Sequence, residues 1–166
     1  MPMEEEDFRR LYESYSGFIM AYLRKLTGDN EVAAELLQDT FLKYYSAYDR
    51  LNVENEKSYL YKMAYHFYVK WLKVHTKEKG NTNIENVVIA DNSGEQQKAE
   101  WQDLRSKILT RLAEIDSEYP GIFMLRIDEG FKFDDIARIT GRSERTVRRV
   151  FQKIKNVIKN DFGDFF

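Results

Sequence analysis

Residues 133–155 read FDDIARITGRSERTVRRVFQKIK and gather hydrogen-bond donors on one side of a helical pattern. Arg142, Glu144, Arg145, Arg148, Arg149 and Lys153 fall opposite Val147, Val150 and Phe151. Arginine can grip a guanine edge with two N–H groups, and both arginine and lysine bind phosphates. Gly141 supplies a turn where positive φ is cheap. Ser143 is a good N-cap, because its hydroxyl can accept from an exposed backbone N–H. Ala137 is small where two helices would cross. A basic run alone is more often a solvated face. The turn, the cap and the inward Val147 make this one a helix-turn-helix whose second helix can enter a major groove.

A second set of residues suits single-stranded nucleic acid. In SYLYKMAYHFYVKWLK, residues 58–73, the apolar stripe is Leu60, Met63, Ala64, Phe67, Trp71 and Leu72. Tyr61, Lys62, Tyr65, Tyr68, Val69 and Lys70 are expected off that stripe. Rings can stack on bases while ammonium groups meet phosphates. Fifteen of the 24 aromatic residues lie in residues 1–79. Many of those, Tyr12, Tyr15, Tyr22 and Phe41 among them, are expected simply to fill a core.

Catalytic chemistry has few candidates. The chain has two histidines, His66 and His75, and no cysteine. Their nine-residue separation does not bring them together on one helix face. The acidic pairs Asp128-Glu129 and Asp134-Asp135 fit helix ends and turns, the second pair favoured by a helix dipole. No glycine-rich phosphate loop or nucleophile–histidine–carboxylate order is present. The expectation is therefore a binding protein that is not an enzyme, with no metal and no cofactor.

These groups need elements to hold them. The chain has 166 residues, 26 Lys+Arg against 28 Asp+Glu, and a net charge of −2. Its hydrophobic fraction of 43% is enough for a packed core. The acidic start MPMEEEDFRR is not a signal peptide, and no apolar run is long enough to span a membrane. The average charge hides a local surplus: residues 138–159 hold eight basic residues and one acid, Glu144.

Helical periodicity runs from Phe8 to Leu26, closed near Thr27-Gly28-Asp29-Asn30, then from Val32 to Tyr48, then from about Ser58 to Val74. Polar residues 49–57 read as a loop. Residues 76–100 are polar, Asn-rich and Gly-punctuated, with only VVIA at 87–90 apolar, and read as a flexible linker. A second module starts near Trp101, with short helices around Ile122–Ile127 and Phe133–Ile139 and a last one from Val147 to Ile158. The expected fold is all-α: two small helical domains, 1–78 and 103–166, joined by a linker at 79–102, the second carrying the helix-turn-helix.

This order of parts resembles the extracytoplasmic-function (ECF) group of bacterial RNA polymerase sigma factors, in the sigma-70 family. The second helix matches the family's acidic-Leu-x-Gln-acidic segment and following Phe at Glu35, Leu36, Gln38, Asp39 and Phe41. The resemblance implies docking of that surface on the polymerase β′ subunit. Tyr59, Leu60, Tyr61, Lys62, Met63 and Ala64 resemble the family's Trp-Leu-Tyr-Arg-Ile-Ala segment, which implies contact with an opened minus-ten promoter element. Asn52, Asn55, Tyr59, Tyr61, Lys62, Tyr65, His66 and Lys70 are the candidate residues there. The helix-turn-helix matches at Leu125-Arg126, Glu129-Gly130, Asp135-Ile136-Ala137, Gly141, Ser143 and Thr146-Val147. It implies reading of the minus-thirty-five element by Arg142, Ser143, Glu144, Arg145, Thr146, Arg148, Arg149 and Lys153.

The implied partners are core RNA polymerase (β and β′ subunits), promoter DNA and an anti-sigma protein, in the bacterial cytoplasm with no membrane insertion. The chain departs from the family pattern at Ala34, where a second acid is usual, at His66 in place of Asn, at Asp116 in place of Pro, and in the weakly basic run Lys73–Lys79. The alternative reading is a stand-alone helix-turn-helix regulator with a helical dimerisation or sensing domain. In that case Glu35, Leu36, Gln38 and Asp39 would be dispensable. The tail Asp161–Phe166 offers aromatics for packing back or for a partner.

Overall fold

The structure is a computed structural model that describes residues 3–48, 55–79 and 96–163. Seven helices and no strand occur among the described residues: α1 (Glu5–Thr27), α2 (Asn30–Ala47), α3 (Glu56–Lys79), α4 (Gln96–Ile115), α5 (Tyr119–Ile127), α6 (Phe133–Thr140) and α7 (Glu144–Phe162). The expected loop residues 49–54, the VVIA run and the final DFF lie outside the described residues. Helix α3 runs past Val74, and α4 begins at Gln96, inside the stretch that composition marks as linker.

Local chemistry fixes the first helical corner. Helix α1 has Glu5, Glu6 and Asp7 in its first turn and Arg24 and Lys25 in its last, both favourable to the helix dipole. Gly28, at φ 66°, closes it by donating its N–H to the Arg24 carbonyl at 2.8 Å. Asp29 then caps α2, its carboxylate accepting from the N–H groups of Glu31 and Val32 at 2.9 and 3.2 Å. Three helices thus pack as a bundle over Ile19, Leu23, Leu26, Ala33, Leu37, Tyr44, Leu60 and Ala64, all buried.

In the second module α4, α5 and α6 pack around α7 or one another through Ile108, Leu112, Phe123, Ile136, Ile139, Val147, Ile154 and Ile158. Arg111 Nε donates to Asp161 at 2.6 Å and ties α4 to the end of α7. The turn after α6 is as the sequence requires: Gly141 has φ 74°, and its N–H and that of Arg142 both donate to the Ala137 carbonyl.

The two modules are not apart. Helix α3 lies against α6 and α5, α1 touches α5, and one hydrophobic cluster continues through both modules. Tyr22 donates to the Gly121 carbonyl at 3.2 Å, and Lys25 pairs with Asp128 at 2.5 Å. Two bundles held together by a linker alone are therefore not what the described residues form; the linker residues 80–95 lie outside them. The α3 face expected to stand off the core, with Tyr61 and Tyr65, is used to join the modules. An open groove beside this junction is lined by Gly17, Phe18, Ala21, Lys25, Asp128 and Glu129.

Replacing Asp29 with Ala leaves two N–H groups of α2 without their side-chain acceptor. The expected cost is about 1 kcal/mol, read as a lower urea midpoint, and Asp29→Ser should recover most of it.

Candidate nucleic-acid interface

The α6–turn–α7 unit presents its cations as expected. Ser143 sits at φ −71°, ψ 153°, and its hydroxyl accepts from the Thr146 N–H at 3.1 Å and donates to the Thr146 hydroxyl at 2.9 Å. Val147, Phe151, Ile154 and Ile158 turn inward and are buried. Arg145, Arg148, Arg149, Gln152 and Lys153 are exposed, on one side of the helix by their spacing. Arg145, Arg149 and Lys153 carry no ion pair among the described residues.

The other two arginines are engaged. Arg148 donates twice to Glu144, at 3.2 and 2.9 Å, and its guanidinium lies 4.7 Å from the Phe133 ring centre. Arg142 donates to Glu118 at 2.8 Å. Gln152 was not singled out by charge, yet it shares the exposed face and bonds Asn156 at 3.2 Å. Its position four residues after Arg148 was the available signal.

On α3 the structure divides the expected residues. Lys62, His66 and Lys70, each four apart, are exposed. Tyr59 is half-buried, edge-on to Tyr44 at 6.0 Å, with the Lys62 ammonium 5.8 Å from its ring centre. Tyr61 and Tyr65 are 0% exposed, and so is Tyr68. The expectation that these three stand off the core is corrected for this conformation, because the second module covers at least the first two. Tyr61 donates to Glu129 at 2.7 Å and meets the Phe131 ring edge-on at 5.1 Å. Tyr65 donates to Glu118 at 3.2 Å. Burial first, and these acidic partners after it, push both phenols well above the ordinary tyrosine range.

Asn55 is exposed, but its side-chain oxygen already accepts the Ser58 N–H at 3.0 Å as a cap of α3. Asn52 lies outside the described residues. His66 touches the second module as well. Burial and then Lys62 lower its pKa from 6.5, while Glu118 and a hydrogen bond to the Ile139 backbone act the other way.

On α2, Glu35, Gln38 and Asp39 are exposed in one stripe that continues through Leu42 and Tyr45, which are 55% and 45% exposed. Leu36 and Phe41 are buried, so these two motif residues hold the helix down rather than forming its outer face. Phe41 packs edge-on to Tyr12 at 4.9 Å. Tyr12 itself is 42% exposed, contrary to a purely core role, because it covers Phe41 from outside. Among the described residues no group of three or more His, Cys, Asp or Glu could hold a metal.

Comparison with known proteins bears on these surfaces. Residues 11–78 match the family description Sigma-70 region 2. The chain is 23% identical over 154 residues to RNA polymerase sigma factor YlaC of Bacillus subtilis, covering 91% of this chain and 89% of that protein. It is 20% identical over 151 residues to the ECF RNA polymerase sigma factor SigM of the same organism, covering 90% and 91%. Residues 11–78 thus match sigma-70 region 2, and along most of its length the chain is similar to RNA polymerase sigma factors. The same all-α fold occurs in the sigma factor RpoE of Bartonella quintana, solved with the anti-sigma factor NepR. That match has a TM-score of 0.70 and 20% identity, covering 93% of this chain and 96% of that one. The region 2 match falls within α1 to α3. No helix among the described residues is long and apolar enough to cross a membrane.

His66 should titrate below 6.5, visible in the imidazole C–H proton shifts. Glu118→Gln removes a charge that raises this pKa and should lower it further, whereas Lys62→Ala should raise it. An unperturbed value in the folded chain would contradict the partial desolvation of this ring beside Lys62.

Proposed function

We infer that the chain directs core RNA polymerase to promoters by dividing the work between two surfaces. The exposed cations of α7 are the single observation that carries the DNA half of this reading. Arg145, Arg149 and Lys153 are free to meet phosphates or guanine edges, and Arg148 and Gln152 lie beside them. Gln152 and its partner Asn156 add neutral amides to that face, groups suited to an adenine edge. Ser143 and Thr146 act at the cap, where backbone N–H groups can also meet a phosphate.

The polymerase half rests on the exposed stripe Glu35, Gln38 and Asp39 of α2, with Leu42 and Tyr45 as its apolar continuation. Leu36 and Phe41 support that stripe from inside. The opened minus-ten strand would meet Lys62, His66 and Lys70, with Tyr59, Asn52 and Asn55 at its upstream end. The chain contributes no catalysis of its own, and bond formation belongs to the polymerase. An anti-sigma protein is the expected regulator, acting in the compartment where the polymerase works. The relatives' names favour this reading over a stand-alone regulator.

The test is transcription by purified core polymerase, with and without the chain, on a library of genomic promoter fragments. Transcripts sharing a two-part upstream motif are expected. Sequence-specific DNA binding without any polymerase-dependent transcript would overturn the reading. Arg145→Ala and Arg149→Ala should each weaken promoter binding by the holoenzyme. Where the lost contact is to a phosphate, the salt slope should fall by about one. Asp39→Ala should weaken binding to core polymerase while leaving α2 folded, since its side chain is exposed.

A further inference from the structure

Phe133 connects three helices of the second module through their cations. It is the first residue of α6, half-buried, and meets the buried ring of Phe151 on α7 edge-on at 5.6 Å. Guanidinium groups from both neighbouring helices lie over its ring. That of Arg126, from α5, is 4.2 Å from the ring centre, and its Nη1 donates to the Phe131 carbonyl at 3.0 Å. That of Arg148, from α7, is 4.7 Å from the same centre. Glu144, one turn before Arg148, holds this second guanidinium by its edge. A single carboxylate oxygen accepts from Nε at 3.2 Å and from Nη2 at 2.9 Å. The Arg148 side chain nevertheless stays 59% exposed.

These contacts define what Arg148 has left to offer. Its plane is taken by Phe133, and its Nε–Nη2 edge by Glu144. The Nη1–Nη2 edge remains, a planar pair of donors that point the same way. That pair matches the O6 and N7 acceptors of guanine in a major groove. A long side chain loses rotamer freedom when a ligand fixes it, and here that freedom is already lost before DNA arrives. Arg145, Arg149 and Lys153 differ, because they are exposed with no ion pair among the described residues.

We propose that Phe133 and Glu144 are positioning residues that set Arg148 as a base reader of α7, its Nη1–Nη2 edge presented to a guanine of the minus-thirty-five duplex, while Arg145, Arg149 and Lys153 serve phosphates. This rests on the DNA reading of α7 given above. A phosphate tolerates a mobile cation, because its charge attracts from many directions. A base edge needs donors at a fixed spacing and angle, so the arginine already held in place is the one that discriminates. Lysine at 148 would keep the charge and lose the planar fork. The clamp is also locally favoured. An acid four residues before a cation is the better order on a helix, and Glu144 in the first turn of α7 suits the dipole.

The test uses holoenzyme assembled from core polymerase and the full chain, selecting promoter fragments whose minus-thirty-five duplex is randomised. The parent should select a guanine that Arg148→Lys no longer selects, with its preference over adenine there falling about tenfold. Phe133→Leu should relax the same position and leave the others unaltered. Phe133→Tyr keeps the ring and should retain the preference. Glu144→Ala should relax that position too, and its side chain is exposed, so this variant does not depend on how α6 tolerates a change of ring. Adding Phe133→Leu to Arg148→Lys should cost no further discrimination, because both act through one guanidinium. The salt slope should not change in Phe133→Leu or Arg148→Lys, whereas Arg145→Ala or Arg149→Ala should lower it by about one.

Equal weakening of all sequences by Phe133→Leu and Glu144→Ala would overturn the proposal, since it marks a structural role alone. So would relaxation at a position other than the one Arg148→Lys alters, or an intact guanine preference in Arg148→Lys. In the free chain the Arg148 Nε–H proton should carry an upfield ring-current shift that Phe133→Leu abolishes, and its absence from the parent would overturn the clamp directly. A parent that selects no upstream element would instead refute the DNA reading of α7, with that shift still reporting whether the stack exists.

Discussion

Helix α3 is buried on two sides, and most of the molecule follows from that constraint. One side must fill the three-helix bundle with Leu60, Ala64 and Leu72, and the other lies under α5 and α6. Tyrosine reconciles the two demands. Its ring supplies apolar area as large as any aliphatic side chain, and its hydroxyl needs a partner once covered. Tyr61 and Tyr65 find carboxylates, which make stronger hydrogen bonds than neutral acceptors do. The carboxylates lose water in exchange, which is why Glu129 resists ionisation. The polar strip left on α3 is narrow: Lys62, His66, Lys70 and Lys73.

Features set by neighbours in sequence were legible. Gly28, Gly141 and Ser143 mark helix ends through backbone conformation or a hydrogen bond spanning three residues, and each behaves as read; Asp29, read only as part of the break, proves to cap α2. The inward Val147 and the outward Arg145 and Arg149 follow from the helical period alone. Features set across about 50 or more residues were not legible. Nothing near Tyr61 announces Glu129, and nothing near Tyr65 announces Glu118 or the bare backbone of Gly121. A tyrosine off the main stripe reads as a solvent-facing ring when its cover comes from another module. Leu36 and Phe41 show the converse: a motif defined by spacing includes residues on both faces of α2, and only burial separates those that support from those that can touch.

The distribution of charge gives the junction between the modules its directional character. Residues 138–159 carry eight basic residues and one acid on a chain of net charge −2, so acids must gather elsewhere. Three of them, Glu118, Asp128 and Glu129, lie at the two ends of the short helix α5 and face Tyr65, Lys25, Tyr61 and Arg142. Those acids favour closure while they hold their own donors. Loss of any one donor leaves a part-buried carboxylate short of its partner, which disfavours leaving the others in place. A junction of several such contacts shifts between two arrangements more readily than it settles midway, because each half-made state leaves a buried donor or a carboxylate without its partner.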